Sequence, residues 1–137
     1  MPRVNNDPRT PAHFRALRTV LGISRRDLAD LLDVHIRSAR AWDYTTTAPD
    51  AAWAILDRQA AWVTDTLNSV EDGLDLSEAE SGPAEGVDLT TYVNDASAQR
   101  AGIDMPAAWH SAGIGLLSLL LGADGYDVHV GYAPLED

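Results

Sequence analysis

Three short apolar-periodic segments follow one another between Thr10 and Trp42, and between them stand residues that stop one helix and start the next. Thr10 before Pro11 pairs a good N-cap with a residue suited to the first helical turn. Phe14, Leu17, Val20 and Leu21 then recur at helical spacing, so a helix is expected to about Leu21. Gly22 ends it. Ser24, with Asp27 three residues on, makes a capping-box pair in which aspartate replaces the usual glutamate or glutamine. Leu28, Ala29, Leu31 and Leu32 give the second helix its buried face. Asp33 and Val34 make a tight connection, and Ile36, Ala39, Ala41 and Trp42 continue in a third helix.

After a polar turn from Thr45 to Pro49, Asp50 can cap a longer helix carrying Trp53, Ile55, Leu56, Ala60, Val63 and Leu67, which is expected to reach about Val70. Residues 71–86, EDGLDLSEAESGPAEG, are acidic with three glycines and a proline and read as a linker with little fixed structure, at a domain boundary. Beyond it, Val87 to Val93 suits a strand, Asn94 to Ala101 a short helix, and Pro106 to Gly122 a longer one through Trp109, Ile114, Leu117 and Leu120. Tyr126 to Tyr132 alternates as a second strand able to pair with the first. The expected division is a loose arm over residues 1–9, a helical domain over 10–70, the linker over 71–86 and a small α+β unit over 87–137.

A chain of 137 residues, 45% apolar with four tryptophans, can bury a core as one domain or two small ones. It has no cysteine, which removes disulfides, thiol nucleophiles and cysteine-ligated zinc, and is compatible with the cytoplasm. No signal peptide is recognised at its start. The longest apolar stretch, Ala112 to Ala123, contains three glycines and a serine and is about half the roughly 20 residues that a membrane span needs. No membrane partner is expected, and the expected location is the bacterial cytoplasm. His13, His35, His110 and His129 lack paired metal-ligand spacing, and no phosphate-binding glycine loop occurs. Gly113, Gly115 and Gly122 lie among leucines, where close helix packing accounts for them. No catalytic residue, metal or cofactor is expected.

The net charge of −11 argues at first sight against a phosphate backbone. It is unevenly placed. Residues 1–45 hold eight arginines against five aspartates, net +3, whereas residues 46–137 hold two arginines against sixteen acids, net −14. A basic head on an acidic body would orient the head toward nucleic acid. The acidic body can equally serve solubility alone.

Leu17 to Asp43, LRTVLGISRRDLADLLDVHIRSARAWD, resembles the helix-turn-helix of the phage-repressor (Cro/C1, XRE-like) superfamily. The resemblance rests on Leu17-Arg18, Gly22, Ser24, Leu28-Ala29, Asp33-Val34 and Trp42-Asp43, and covers about a quarter of the chain. It implies a second and third helix crossing steeply, so that the third enters a major groove about 12 Å wide. Ala29 would let the helices approach, Val34 anchor the turn in the core and Trp42 pin the far end of the third helix. Asp33 stands where the family mostly has glycine and must adopt a left-handed conformation. His35 stands where a serine or threonine cap is usual. Both should weaken the start of the third helix.

Carried over by position, His35, Ile36, Arg37, Ser38 and Arg40 are the exposed residues of a recognition helix running from His35 to Tyr44, and should face base edges. Arg37 is the first candidate for a bidentate contact to guanine and Arg40 the second, the competing reading of each being a solvated helix charge. Ser38 and His35 can reach bases or phosphate. Ser24 and Arg25 are placed to hold a phosphate at the second helix N-terminus, and Tyr44, Thr46 and Thr47 to touch the DNA backbone.

A helix-turn-helix head followed by TTYV, Trp109 and the small residues after it also resembles a family of small bacterial and phage regulators that includes anti-CRISPR-associated repressors. That implies repression and dimerisation. The apolar run Ala107 to Leu121 suits either a subunit interface or the core of the α+β unit. The expected fold is thus mainly α, an N-terminal helix-turn-helix domain followed by a small α+β C-terminal dimerisation unit. The expected function is sequence-specific transcriptional regulation on double-stranded DNA by a homodimeric repressor joined through residues 87–137. The alternative is an antitoxin-like or other interaction module whose acidic C-terminal half binds a partner protein.

Overall fold

The computed structural model describes residues 8–83 and 86–135. The loose arm expected over residues 1–9 therefore falls, for residues 1–7, outside the described residues. The elements are α1 (Pro11–Val20), α2 (Arg25–Leu32), α3 (Ile36–Ala41), α4 (Asp50–Ser81), β1 (Gly86–Thr91), α5 (Asp95–Arg100), α6 (Ala107–Ala123) and β2 (Asp127–Tyr132). The fold is mainly helical, with a small α+β region toward the C-terminus. Two units divide the chain, Met1–Arg58 and Gln59–Asp137, so the boundary lies inside α4 and not in residues 71–86.

In the first unit the start and stop residues act as their chemistry dictates. The Thr10 hydroxyl accepts from the His13 backbone N–H at 3.1 Å. Gly22, at φ 74°, turns the chain out of α1 in a conformation that L side chains resist. Ser24 and Asp27 form both halves of the capping box: Asp27 N–H donates to Ser24 Oγ (2.9 Å), and Ser24 N–H to Asp27 Oδ2 (3.1 Å). Such a cap is worth about 1 kcal/mol. Asp33 is left-handed at φ 52° and ψ 51°, and the next residue, Val34, returns its N–H to Ala29 O at 3.0 Å.

Three details of this unit correct the sequence reading. His35 does not weaken the start of α3, because its Nδ1 accepts from the Arg37 backbone N–H at 3.0 Å and the imidazole serves as the cap. Val34 does not anchor the turn: it is 38% exposed, carried to the surface by the left-handed residue before it, while Ile36 is half-buried. The third helix ends at Ala41 with Trp42 as its C-cap, so Tyr44 lies in the following turn and not on the helix. The core is built on Phe14, which meets Trp42 and Trp53 edge-on with ring centroids 6.2 Å and 5.1 Å away. Leu28, Ala29, Ala39 and Leu56 are buried with it.

The helix α4 continues for 32 residues through Ser81, so residues 71–81 are helical and not linker. Leu67, Val70 and Leu74 keep the three- and four-residue spacing through the acidic stretch and pack on the core of the second unit. Glu78 continues the same row, accepting from the Tyr126 hydroxyl at 2.9 Å. A single glycine inside a helix costs only about 1 kcal/mol, so Gly73 does not break it. The helix stops at Gly82, whose φ of 85° and N–H to Glu78 O at 2.9 Å make a left-handed C-terminus followed by Pro83.

The second unit holds β1 and β2 as a parallel pair in the register Gly86↔Asp127 to Thr91↔Tyr132, joined by a crossover through α5 and α6. The first strand starts one residue before the expected Val87 and ends at Thr91, short of Val93. Leu89 joins Ile114, Leu117 and Leu121 of α6 in the core, with Val87, Tyr126 and Val128 packed around them. Asn94 caps α5 by accepting from Ser97 N–H at 2.8 Å, and Asp95 Oδ1 accepts from Ala107 N–H at 2.8 Å where α6 begins. Gly113 admits the Trp62 ring, which a Cβ at that position would overlap. His110 is buried against Trp62 and Tyr92, with Nδ1 2.9 Å from the Thr91 hydroxyl. One side of α6 is therefore core, while Leu119 on the other is 72% exposed. Among the described residues no helix is long and apolar enough to cross a membrane.

Candidate nucleic-acid interface

The side chain that organises the helix-turn-helix is Asp43, immediately after the Trp42 that closes α3. Its carboxylate is fully buried and receives two arginines. Arg18 on α1 donates from Nε to Oδ1 (3.2 Å) and from Nη2 to Oδ2 (2.7 Å), and its Nη1 donates to Ile23 O at 2.8 Å. Arg25, the first residue of α2, donates from Nε to the same Oδ2 at 2.7 Å. One carboxylate thus ties α1, the start of α2 and the turn after α3 together. Burial alone would raise the Asp43 pKa, but the hydrogen bonds and charges of Arg18 and Arg25 outweigh it and hold the carboxyl below its usual range. The hydrogen bond to Asp43 correspondingly raises the Arg25 pKa, against the opposing effect of burial.

Tyr44 lies beside this network and is 52% exposed. Its ring stacks under two guanidinium groups, Arg15 at 5.0 Å and Arg25 at 5.6 Å from the ring centroid. Arg25 Nη2 also donates to the Tyr44 hydroxyl at 3.1 Å.

On α3, Ala39 is completely buried, whereas Arg37, Ser38 and Arg40 are exposed. None of these three side chains has a hydrogen-bond or ion-pair partner among the described residues. The expectation that Ile36 is exposed with them is corrected by its half-burial. His35 is exposed; since Nδ1 accepts the Arg37 N–H, the ring proton of the neutral imidazole sits on Nε2 and is free to donate. Ser24 is exposed and its oxygen accepts from Asp27, which leaves its O–H free to donate outward. Thr46 and Thr47 are exposed in the turn that carries Tyr44.

Arg25 is less free than its place at the helix start suggests, because its charge is matched by Asp43 and its side chain is only 32% exposed. The structure thus gathers Arg25 and Tyr44 into one cluster and puts Arg37, Ser38 and Arg40 on a separate exposed face. Sequence reasoning placed Arg18 and Asp43 in the motif without giving them a task, and missed Arg15 altogether. The signal for the first pair was the cation and the acid at fixed places in the same register. Nothing local marks Arg15, whose partner lies 29 residues further along the chain.

Compared with protein families and with curated proteins, the sequence matches no family model and no curated relative. Among the described residues no three His, Asp or Glu side chains are grouped so as to hold a metal ion.

Proposed function

We propose that the chain is a sequence-specific DNA-binding regulator that reads the major groove with α3. The observation that carries this is the exposed row Arg37, Ser38 and Arg40 on a helix whose opposite side, at Ala39, is buried. The left-handed Asp33 turns the chain between α2 and α3, and the Arg18–Asp43–Arg25 network ties the turn after α3 to α1 and the start of α2. Two guanidinium groups with no partner among the described residues, on a short helix, suit bidentate contacts to guanine O6 and N7. His35, Ser24, Thr46 and Thr47 supply donors at its margins for bases or phosphate.

The protein acts in this reading as a homodimeric repressor, since one short helix contacts few base pairs and paired half-sites multiply the specificity. Residues 87–137 supply the dimer contact. Their support is α6, which contains no charged residue in a strongly acidic half and leaves Leu119 and Leu120 exposed. The acidic excess after residue 45 also supports a second reading, in which that half binds a basic partner protein.

Selection of bound sequences from a random duplex pool tests the proposal. A consensus of two inverted half-sites about one helical turn apart is expected. No enrichment, with a stoichiometric basic protein co-purifying, would favour the second reading.

A further inference from the structure

We infer that Arg15 and Tyr44 form a phosphate-binding site for the DNA backbone, set in place by Arg25 and lying beside the recognition helix. This rests on the DNA-binding reading and adds α1 to the contact surface.

Arg18 and Arg25 already use donors within the protein. Arg18 spends three N–H groups on Asp43 and Ile23 O, and Arg25 spends Nε on Asp43 and Nη2 on the Tyr44 hydroxyl. Arg15 is exposed and pairs with no carboxylate among the described residues; what locates it is the face of the Tyr44 ring, 5.0 Å from its guanidinium carbon. A cation held by an aromatic face keeps all five of its N–H donors for another acceptor. Arg15 is therefore both positioned and unspent, the condition for a planar guanidinium to grip two phosphate oxygens.

The hydroxyl of Tyr44 completes the site. It accepts a hydrogen bond from Arg25, so its oxygen is engaged on the protein side while its own proton is left for an outside acceptor. Asp43, the one carboxylate in the cluster, is buried and saturated by two arginines, so it presents no exposed negative oxygen to an approaching anion. Two arginines against one aspartate leave the network with a surplus positive charge, to which Arg15 adds another. The site follows the C-cap of α3, so it would touch the rail beside the groove and carry no sequence preference.

The test is fluorescence anisotropy of the full chain on a mixed-sequence 24-base-pair duplex, with the salt concentration varied. Replacing one phosphate contact should lower the slope of log affinity against log salt by about 0.9. Arg15→Ala is expected to do so and to weaken binding by about tenfold near 50 mM salt, equally on any sequence. Tyr44→Phe keeps the ring and loses the O–H; it is expected to weaken binding several-fold without changing the slope. Arg58→Ala, an exposed arginine of α4, should leave both unchanged. If wild type binds and Arg15→Ala keeps the wild-type slope, the inference is overturned while the DNA reading stands. If wild type fails to bind any duplex even at low salt, the DNA reading falls and takes this site with it.

Discussion

Arg18 and Asp43, 25 residues apart in sequence, meet as a fork on a fork, with two hydrogen bonds of 3.2 Å and 2.7 Å and the carboxylate wholly removed from solvent. Removing one partner of a buried pair costs about 3–5 kcal/mol, because the other charge loses its compensation. Here the arginines are 12% and 32% exposed and can recover some hydration, which places Asp43→Asn near the lower end of that range. Urea unfolding should show a lower midpoint with an unchanged slope.

His110 predicts a pH dependence of the opposite half of the chain. Burial lowers its pKa from the ordinary 6.5, and the groups around its ring are Thr91, Trp62 and Tyr92, none of which offers a negative charge. The folded state therefore binds a proton less readily than the unfolded chain. Stability from this group is complete above pH 6.5 and declines as the pH falls toward the lowered folded value. Unfolding measured between pH 7 and 5 should be steeper in pH for wild type than for His110→Gln; equal slopes would contradict it.

At Asp33 the backbone is left-handed, where glycine carries no steric penalty. Asp33→Gly is expected to stabilise the first unit by about 0.5 kcal/mol, seen as a rise of a few degrees in Tm. A fall in Tm would mean that the aspartate side chain contributes a contact worth more than its strain.

Two glycines in helices should respond in opposite directions to alanine. Gly113→Ala drives a methyl into the Trp62 ring, an overpacking that costs about 1–3 kcal/mol and outweighs the gain in helix propensity. Gly73→Ala meets no atom within 4 Å and should stabilise α4 by up to about 1 kcal/mol. The sign of each shift in the urea midpoint decides the matter.

Much of the fold was legible because it is written in local chemistry. Thr10, the Ser24–Asp27 box and the alternation of the two strands each specify their element within a few residues, and the left-handed Asp33 followed from the glycine it replaces. The extent of α4 was hidden by composition: acidic residues suggested disorder, while Leu67, Val70 and Leu74 kept a helical row whose partner, Leu89 with α6, lies far along the chain. Gly82–Pro83 was the true stop signal. In the site, exposure of Arg37, Ser38 and Arg40 followed from helical spacing. The capping imidazole of His35 and the stacking of Arg15 on Tyr44 did not, since both depend on side-chain geometry that spacing leaves open.

The most direct test is an anisotropy titration of wild type and the Arg37→Ala/Arg40→Ala variant on the selected duplex and on a scrambled one. Each bidentate arginine–guanine contact is worth about 1–3 kcal/mol of discrimination. The variant should therefore lose at least tenfold in its preference for the selected duplex while binding the scrambled one only modestly more weakly. An unchanged preference in the double variant would contradict recognition by α3.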